Sequence, residues 1–439
     1  MSEKRGIGTF INDEFELGSN SLDLFTVPPV DTTLVAGKSI KIYPNNALND
    51  LGPFEFIIPN EGVDYTILPL TRIEGELEVV KADGSALAGT DAVSVVNLFP
   101  ISIFKQVECE INNVQICDLS TPTYAYKGFL ETHLSYGEEA KSTHLKTSMY
   151  IKDTLDKENN VTLADETAFK TRNALIQGKK VFFSSLVHVD LFQCNRLLIP
   201  GCQIKLKFIR NDDTFSLLGA TAGPKIKIHN LYLNLRRVTL DQKLHERNEK
   251  QLETTPAYYN ITQSKIKTYV INSGTQSLTI PNIFRGNLPR SLMFGFVDAR
   301  GFNGTISVNP FKFENFKLKY VNLKKNSEPV VGTVFQPNFS SGNYIREYRF
   351  FMDNIGIAHD NGTNSISPEE WAKNSNLWVY DLTPDLCNSF HLHKTETGNI
   401  DLDIAFEDAT TKNIQMIVYA SFNEAVLIDF ERNVTITTQ

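Results

Sequence analysis

From Ile204 to Phe208 the chain alternates without a break: Ile204, Leu206 and Phe208 are apolar, while Lys205 and Lys207 are charged. Successive side chains on an extended chain point to opposite faces, so this spacing predicts a strand with one buried and one wet face. The same period recurs in "NIDLDIAF", where Ile400, Leu402 and Ile404 alternate with Asp401 and Asp403, and in "KIKIHNLYLNL" and "FKLKYVNL". Turn signals such as Asp83-Gly84, Asn303-Gly304 and Asn361-Gly362 punctuate the runs. Helical spacing is rare. It is clearest from Thr121 to Tyr136, where Tyr126, Phe129, Leu130, His133 and Leu134 share a face. A second, short helix is expected at "SPEEWA", with Ser367 as cap, Pro368 in the first turn, and Glu369 and Glu370 matched to the helix dipole. Many half-buried strands with few helices make an all-β chain.

Its 439 residues are too many for one ordinary core. "VNLFPISIFK" (Val96 to Lys105) and "VNPFKFENFK" (Val308 to Lys317) align without gaps, 212 residues apart, with five of ten positions identical. Each copy is followed by a Cys-Asn pair (Cys194-Asn195, Cys387-Asn388), a Gly-led alternating strand ("GCQIKLKF", "GNIDLDIAF") and a last apolar strand. Between the halves, Arg236 to Pro256 is strongly polar and partly helical in character. The expectation is an arm at 1–21, a first β domain at 22–238, a polar linker at 239–256 and a second domain at 257–439, each domain a sandwich or jelly roll. Within the second, "LMFGFV" (Leu292 to Val297) reads as a strand buried on both faces, with Gly295 where a side chain would crowd. Asp298 and Arg300 then bracket a turn, which Gly301 and Gly304 allow.

The chemistry-bearing residues form no strong motif. A net charge of −8 argues against non-specific duplex binding, which needs a basic face. The five cysteines are sparse and lack a CxxC, so buried thiols are expected rather than a disulfide framework or zinc site. No apolar run reaches the ~18 residues of a membrane span, and none is expected. The sharpest enzyme hint is His188-Val189-Asp190. With a distant His229, and Arg236 or Arg237 to hold 2-oxoglutarate, it matches the ligand set of a non-haem iron oxygenase. Against it, His188 and Asp190 read as the exposed face of a strand in "VFFSSLVHVDLF". His391 and His393 read as a solvated loop or strand edge, and the acids Asp381 and Asp385 single out no glycosidase pair. A carbohydrate-binding β-sandwich with exposed aromatic platforms is a third reading. The 29 Phe and 15 Tyr are mainly assigned to cores and packing surfaces. No catalytic, cofactor or metal residue is assigned.

Several blocks carry a likeness. They are "LDLFTVPPVDTTL" (Leu22 to Leu34), "GPFEFIIP" (Gly52 to Pro59), "VNLFPISIFKQVECEINN" (Val96 to Asn113), "TYAYKGFLETHLSYG" (Thr123 to Gly137), Gly274 to Tyr320, "WVYDLTPDL" (Trp378 to Leu386) and "VYASFNEAVLIDFERNV" (Val418 to Val434). Together they resemble the double jelly-roll major capsid proteins of the Polinton/Maverick and adintovirus group, including copies embedded in animal genomes. The resemblance implies two tandem eight-stranded jelly rolls with short helical insertions, three copies forming a pseudo-hexameric capsomer, and capsomers tiling an icosahedral shell around double-stranded DNA. It also implies a structural protein without enzyme activity or cofactor. Its partners would be itself and a single jelly-roll penton protein, and its location the virion, with nuclear assembly by analogy. The loop His359 to Asn376 is a candidate for the outer tower.

Overall fold

The alternating runs are strands. In the computed structural model, which describes residues 31–59, 62–119, 122–220, 223–357, 363–386 and 393–438, Ile204, Leu206 and Phe208 are at most 1% exposed. Between them Lys207 reaches Glu108 on the neighbouring strand at 3.2 Å. Ile400, Leu402 and Ile404 are buried likewise, and Asp403 turns outward to Lys324. The arm at 1–21, the Asn361-Gly362 turn, Cys387-Asn388, His391 and the start of the 359–376 loop lie outside the described residues.

The first half supplies β1 (Leu34–Ile42), β2 (Phe54–Ile58), β3 (Asp64–Val80), β4 (Val93–Val95), β5 (Phe104–Ile111), β6 (Val114–Gln115), β7 (Lys180–Leu186), β8 (Ile204–Arg210), β9 (Leu217–Gly219) and β10 (Lys225–Leu240). The second supplies β11 (Ala257–Ile271), β12 (Ser277–Asn287), β13 (Ser291–Asp298), β14 (Leu318–Lys325), β15 (Glu328–Pro329), β16 (Leu377–Asp381), β17 (Thr397–Phe406), β18 (Ile414–Ile428) and β19 (Val434–Thr438). In the first half the sheets run β1-β10-β3-β7 and β2-β8-β5-β6; in the second they run β11-β18-β13-β16 and β12-β17-β14-β15. Setting aside the short β4–β9 pair and β19, which pairs antiparallel with the end of β18, the remaining strands correspond one to one in chain order. The pairing order is then the same in both halves, and the pairs are antiparallel. The repeated segments lead into β5 and β14, which hold equivalent places beside β8 and β17.

Each half contributes its own aromatic block to one continuous hydrophobic core. Phe56, Phe104 and Phe208 pack within 4.9 to 5.6 Å in the first. Phe294, Trp371, Trp378 and Tyr380 are all at most 1% exposed in the second. Leu292 to Val297 lie in β13, buried on both faces as its spacing predicts. At its end Asp298 caps a single helical turn, accepting from Arg300 N–H at 2.9 Å. Burial would raise the Asp298 carboxyl, but Arg300 and Lys412 outweigh it and hold it at about 2.

Helices fill the connections. The Thr121–Tyr136 spacing forms a helix at Tyr124–Ser135. "SPEEWA" forms one at Pro368–Lys373, in which the Ser367 side chain accepts from Glu370 N–H and the Glu370 carboxylate accepts from Ser367 N–H. Replacing this cap, Ser367→Ala, is expected to cost about 1 kcal/mol, read as a lower urea midpoint with unchanged slope. The polar stretch from Arg236 begins within a strand, and the 239–256 segment expected as a linker is mostly helix. A register shift between Asn234 and Arg236 lets β10 continue to Leu240 and buries Arg237. Only then does Asp241 cap the helix Gln242–Leu252.

Candidate functional site at the seam between the two sandwiches

The 124–135 helix stands between the halves. Its Phe129 ring stacks on Phe311, centroids 4.5 Å apart and 6° from parallel. Tyr126 stacks on Phe302 at 5.7 Å and donates its hydroxyl to Pro310 O at 3.0 Å. Phe311 is the repeat equivalent of Phe99, which is buried in the first half; the second copy of the segment has been turned to the seam. On the other side of the helix, Gly128 allows close approach, since a Cβ there would lie 2.6 Å from Ile101 Cγ2. Removing a buried ring such as Phe129 is expected to cost about 3–5 kcal/mol.

Polar groups complete the seam. His133 bonds Tyr150 Oη and Ser375 Oγ, each at 3.0 Å. Burial, then Lys141 and Lys152, press its pKa well below the ordinary value, so the ring is neutral. Lys141 donates to His133 O at 2.8 Å and to Asn364 O at 2.5 Å, and burial pulls its amine down to about 8. Lower on the helix, Lys127 lies 2.5 Å from Asp190 Oδ1 and 3.8 Å from Glu131. Asp190 also accepts from the Ser264 hydroxyl and, at 3.0 Å, from Ser264 N–H in the second half. Glu131 receives His188 Nδ1 at 2.7 Å and the Tyr419 hydroxyl at 3.2 Å. Burial alone would lower the Lys127 amine, but Asp190 and Glu131 outweigh it and hold it above its usual value. Burial would likewise raise the Glu131 carboxyl, and Lys127 and His188 outweigh that. At the far end, Arg432 donates to Pro200 O at 2.8 Å and grips both oxygens of Glu249 at 2.8 Å.

Chemically the cluster is a set of satisfied ion pairs. His188 and Asp190 do not sit on an exposed strand face: β7 ends at Leu186, a tight turn follows, and both are 6% exposed. His229 is elsewhere, 2.6 Å from Glu78 on the exposed side of β10, so the three are not brought together. Among the described residues no group of three His, Cys, Asp or Glu side chains is placed to hold a metal. Arg236 leans on Ser39 Oγ at 3.4 Å. His393 meets Asp385 at 3.0 Å, while Asp381 accepts from Thr383 N–H and Oγ1. Lys127, Glu131, Ser264, Tyr419 and Arg432 escaped the sequence reading; the one local signal was the i,i+4 spacing of Lys127 and Glu131 on an otherwise apolar helix. A largely apolar hollow of about 640 Å³ lies under the 242–252 helix, between Leu34, Tyr65, Leu244, Leu252 and Tyr259.

Comparison with solved structures places this duplicated arrangement. A chain of the Sputnik virophage matches with a TM-score of 0.66 and 12% identity, covering 100% of this chain and 95% of that one. The PBCV-1 virus capsid matches with a TM-score of 0.58 and 13% identity over 94% of this chain and 99% of that one. The mavirus major capsid protein matches with a TM-score of 0.52 and 9% identity over 100% and 97%. The chain folds as a double jelly roll. In sequence it is 21% identical, over 424 residues, to the uncharacterized protein F54H12.2 of Caenorhabditis elegans, covering 93% of this chain and 98% of that one. No protein-family model matches. The double jelly roll accounts for the doubled strand order and for the seam, since two closed sandwiches side by side need one surface in common.

Proposed function

We propose that this chain is a viral major capsid protein of the Polinton/Maverick and adintovirus type. Three copies associate as a pseudo-hexameric capsomer, and capsomers tile an icosahedral shell around double-stranded DNA. The observation that carries the reading is the exact correspondence of strand order between two fused halves: three such chains present six similar units around a threefold axis. The likeness in fold to the PBCV-1 virus capsid and the mavirus major capsid protein supports it. The seam residues act by holding the two units at a fixed spacing and catalyse nothing. A single jelly-roll protein at the fivefold positions, a virion location and nuclear assembly belong to the same proposal.

Mass in solution tests it. Light scattering is expected to give three copies of the 49.4 kDa chain, about 148 kDa, and negative-stain images to show six-lobed outlines. A monomer that binds glycans, or one that copurifies with iron and loses 2-oxoglutarate turnover in His188→Ala, would overturn the proposal.

A further inference from the structure

The described residues start beside the hollow under the 242–252 helix. Thr33 O accepts Asp241 N–H at 3.0 Å, and Asp31 accepts from Thr33 N–H at 2.9 Å, so the entry to β1 is pinned next to the cap of that helix. Leu34 lines the hollow and is 45% exposed; Val35, the next residue, is 67% exposed. The helix has two apolar residues, Leu244 and Leu252, and both line the hollow. Tyr65, Tyr258 and Tyr259 give it aromatic walls. Two of these rings are held by their hydroxyls: Tyr259 donates to Leu197 O at 3.1 Å, and Tyr65 accepts from Asn248 Nδ2 at 3.3 Å. Among the described residues Arg196 is the one charged side chain in the lining, its guanidinium 5.6 Å from the centre of the Tyr258 ring. The hollow is thus open, aromatic and apolar, with one cation at its edge.

We propose that Leu22 to Val30 of the same chain dock in this hollow and latch β1 to the helix between the two halves. The stretch reads "LDLFTVPPV": seven of its nine residues are apolar and Asp23 is its one charge, whereas residues 1–20 carry six charges. It joins the described chain at Asp31, beside the hollow. Nine extended residues reach up to about 30 Å, more than the width of a 640 Å³ hollow. So short a tether holds the stretch at an effective concentration on the order of millimolar, which favours it over a free partner. Pro28 and Pro29 carry no N–H, so two donors that burial would leave unmet are absent. Successive prolines favour the polyproline II conformation, which aromatic-lined grooves bind. Asp23 is opposite in sign to Arg196, the one charge in the lining. Tyr258 and Tyr259 begin the second half, so the latch ties the first strand of one half to the first strand of the other. The inference does not depend on the capsid reading.

Limited chymotrypsin digestion of the full chain tests it, because Phe10, Phe15 and Phe25 offer three cleavage sites before Asp31. Cleavage after Phe25 is expected to be at least about tenfold slower than after Phe10 and Phe15, since a docked site is cut only in the fraction of time it is open. In Leu244→Glu, which puts a charge in the hollow, the Phe25 site should be cut as fast as the other two. Equal rates at the three sites in the parent chain, or a Phe25 site still protected in folded Leu244→Glu, overturn the proposal. A second measurement leaves the hollow unaltered: p-benzoylphenylalanine is placed at position 25 and irradiated. The expected adduct runs at the mass of a single chain and maps to Tyr65 or to the segment from Leu244 to Tyr259. An adduct at twice the chain mass, which would mean that a second copy fills the hollow, an adduct elsewhere on the chain, or no adduct overturns the proposal.

Discussion

Gly295→Val protein is expected in the insoluble fraction, or, if recovered, to melt on the order of 10 °C lower than the parent protein. β13 is flanked by β16 and β18, and both its faces are covered. A Cβ at Gly295 would lie 2.6 Å from Phe313 Cδ1, 2.8 Å from Leu377 Cδ2 and 3.2 Å from Asn376 O. The Phe313 ring is 1% exposed and packed against Tyr126 and Phe129. Overpacking a well-packed core costs about 1–3 kcal/mol and occasionally more, and the upper end is expected here because a carbonyl closes the third side. Gly295→Ala should be milder in the same assay, since it adds the crowded Cβ without the branch. Soluble Gly295→Val protein with an unchanged melting temperature would show that the neighbours can move.

Asp190→Ala should be nearly as damaging, for an electrostatic reason. Lys127 is only 12% exposed and its ammonium lies 2.5 Å from Asp190 Oδ1. Removing the carboxylate leaves a buried cation with one partner at 3.8 Å and strips Ser264 N–H of its acceptor. Breaking one side of such a pair costs about 3–5 kcal/mol. Replacing both charges, Lys127→Met with Asp190→Leu, should recover most of that loss, because desolvation of the pair is then no longer needed. Chemical denaturation of the two variants and the parent gives the comparison. If the double variant is as unstable as Asp190→Ala, the cluster matters for shape rather than for charge balance.

What could be seen in the sequence was local. A strand declares itself by a period of two, which is why β8, β10, β14 and β17 were legible to within a few residues. The helix at 124–135 declared itself by the spacing of Tyr126, Phe129 and His133, and the Pro368–Lys373 helix by its cap. Gly295 was legible as a small residue in an unbroken apolar run. The duplicated architecture was legible from one ten-residue echo and the order of elements after it; the strand order was not. The seam was not legible, because its partners are remote in sequence: Asp190 and Ser264 are 74 residues apart, Arg432 and Glu249 183 apart. His188 and Asp190 were misplaced because alternation was carried past Leu186, where the strand ends. Period two also cannot reveal a register shift, so the shift between Asn234 and Arg236 in β10 was hidden.

The stacking of the 124–135 helix on Phe311 has a consequence for how the chain is made. Tyr126 and its acceptor Pro310 are 184 residues apart, and at 5–20 residues per second the ribosome needs about 10–40 s to cover that distance. Over the last 70 of those residues, once Leu240 has completed β10, the first half can have its sheets but lacks the cover for Tyr126 and Phe129. A nascent chain therefore shows neighbouring polysomal chains an aromatic surface whose own partner has yet to be translated, and dependence on a chaperone should be greatest in that window.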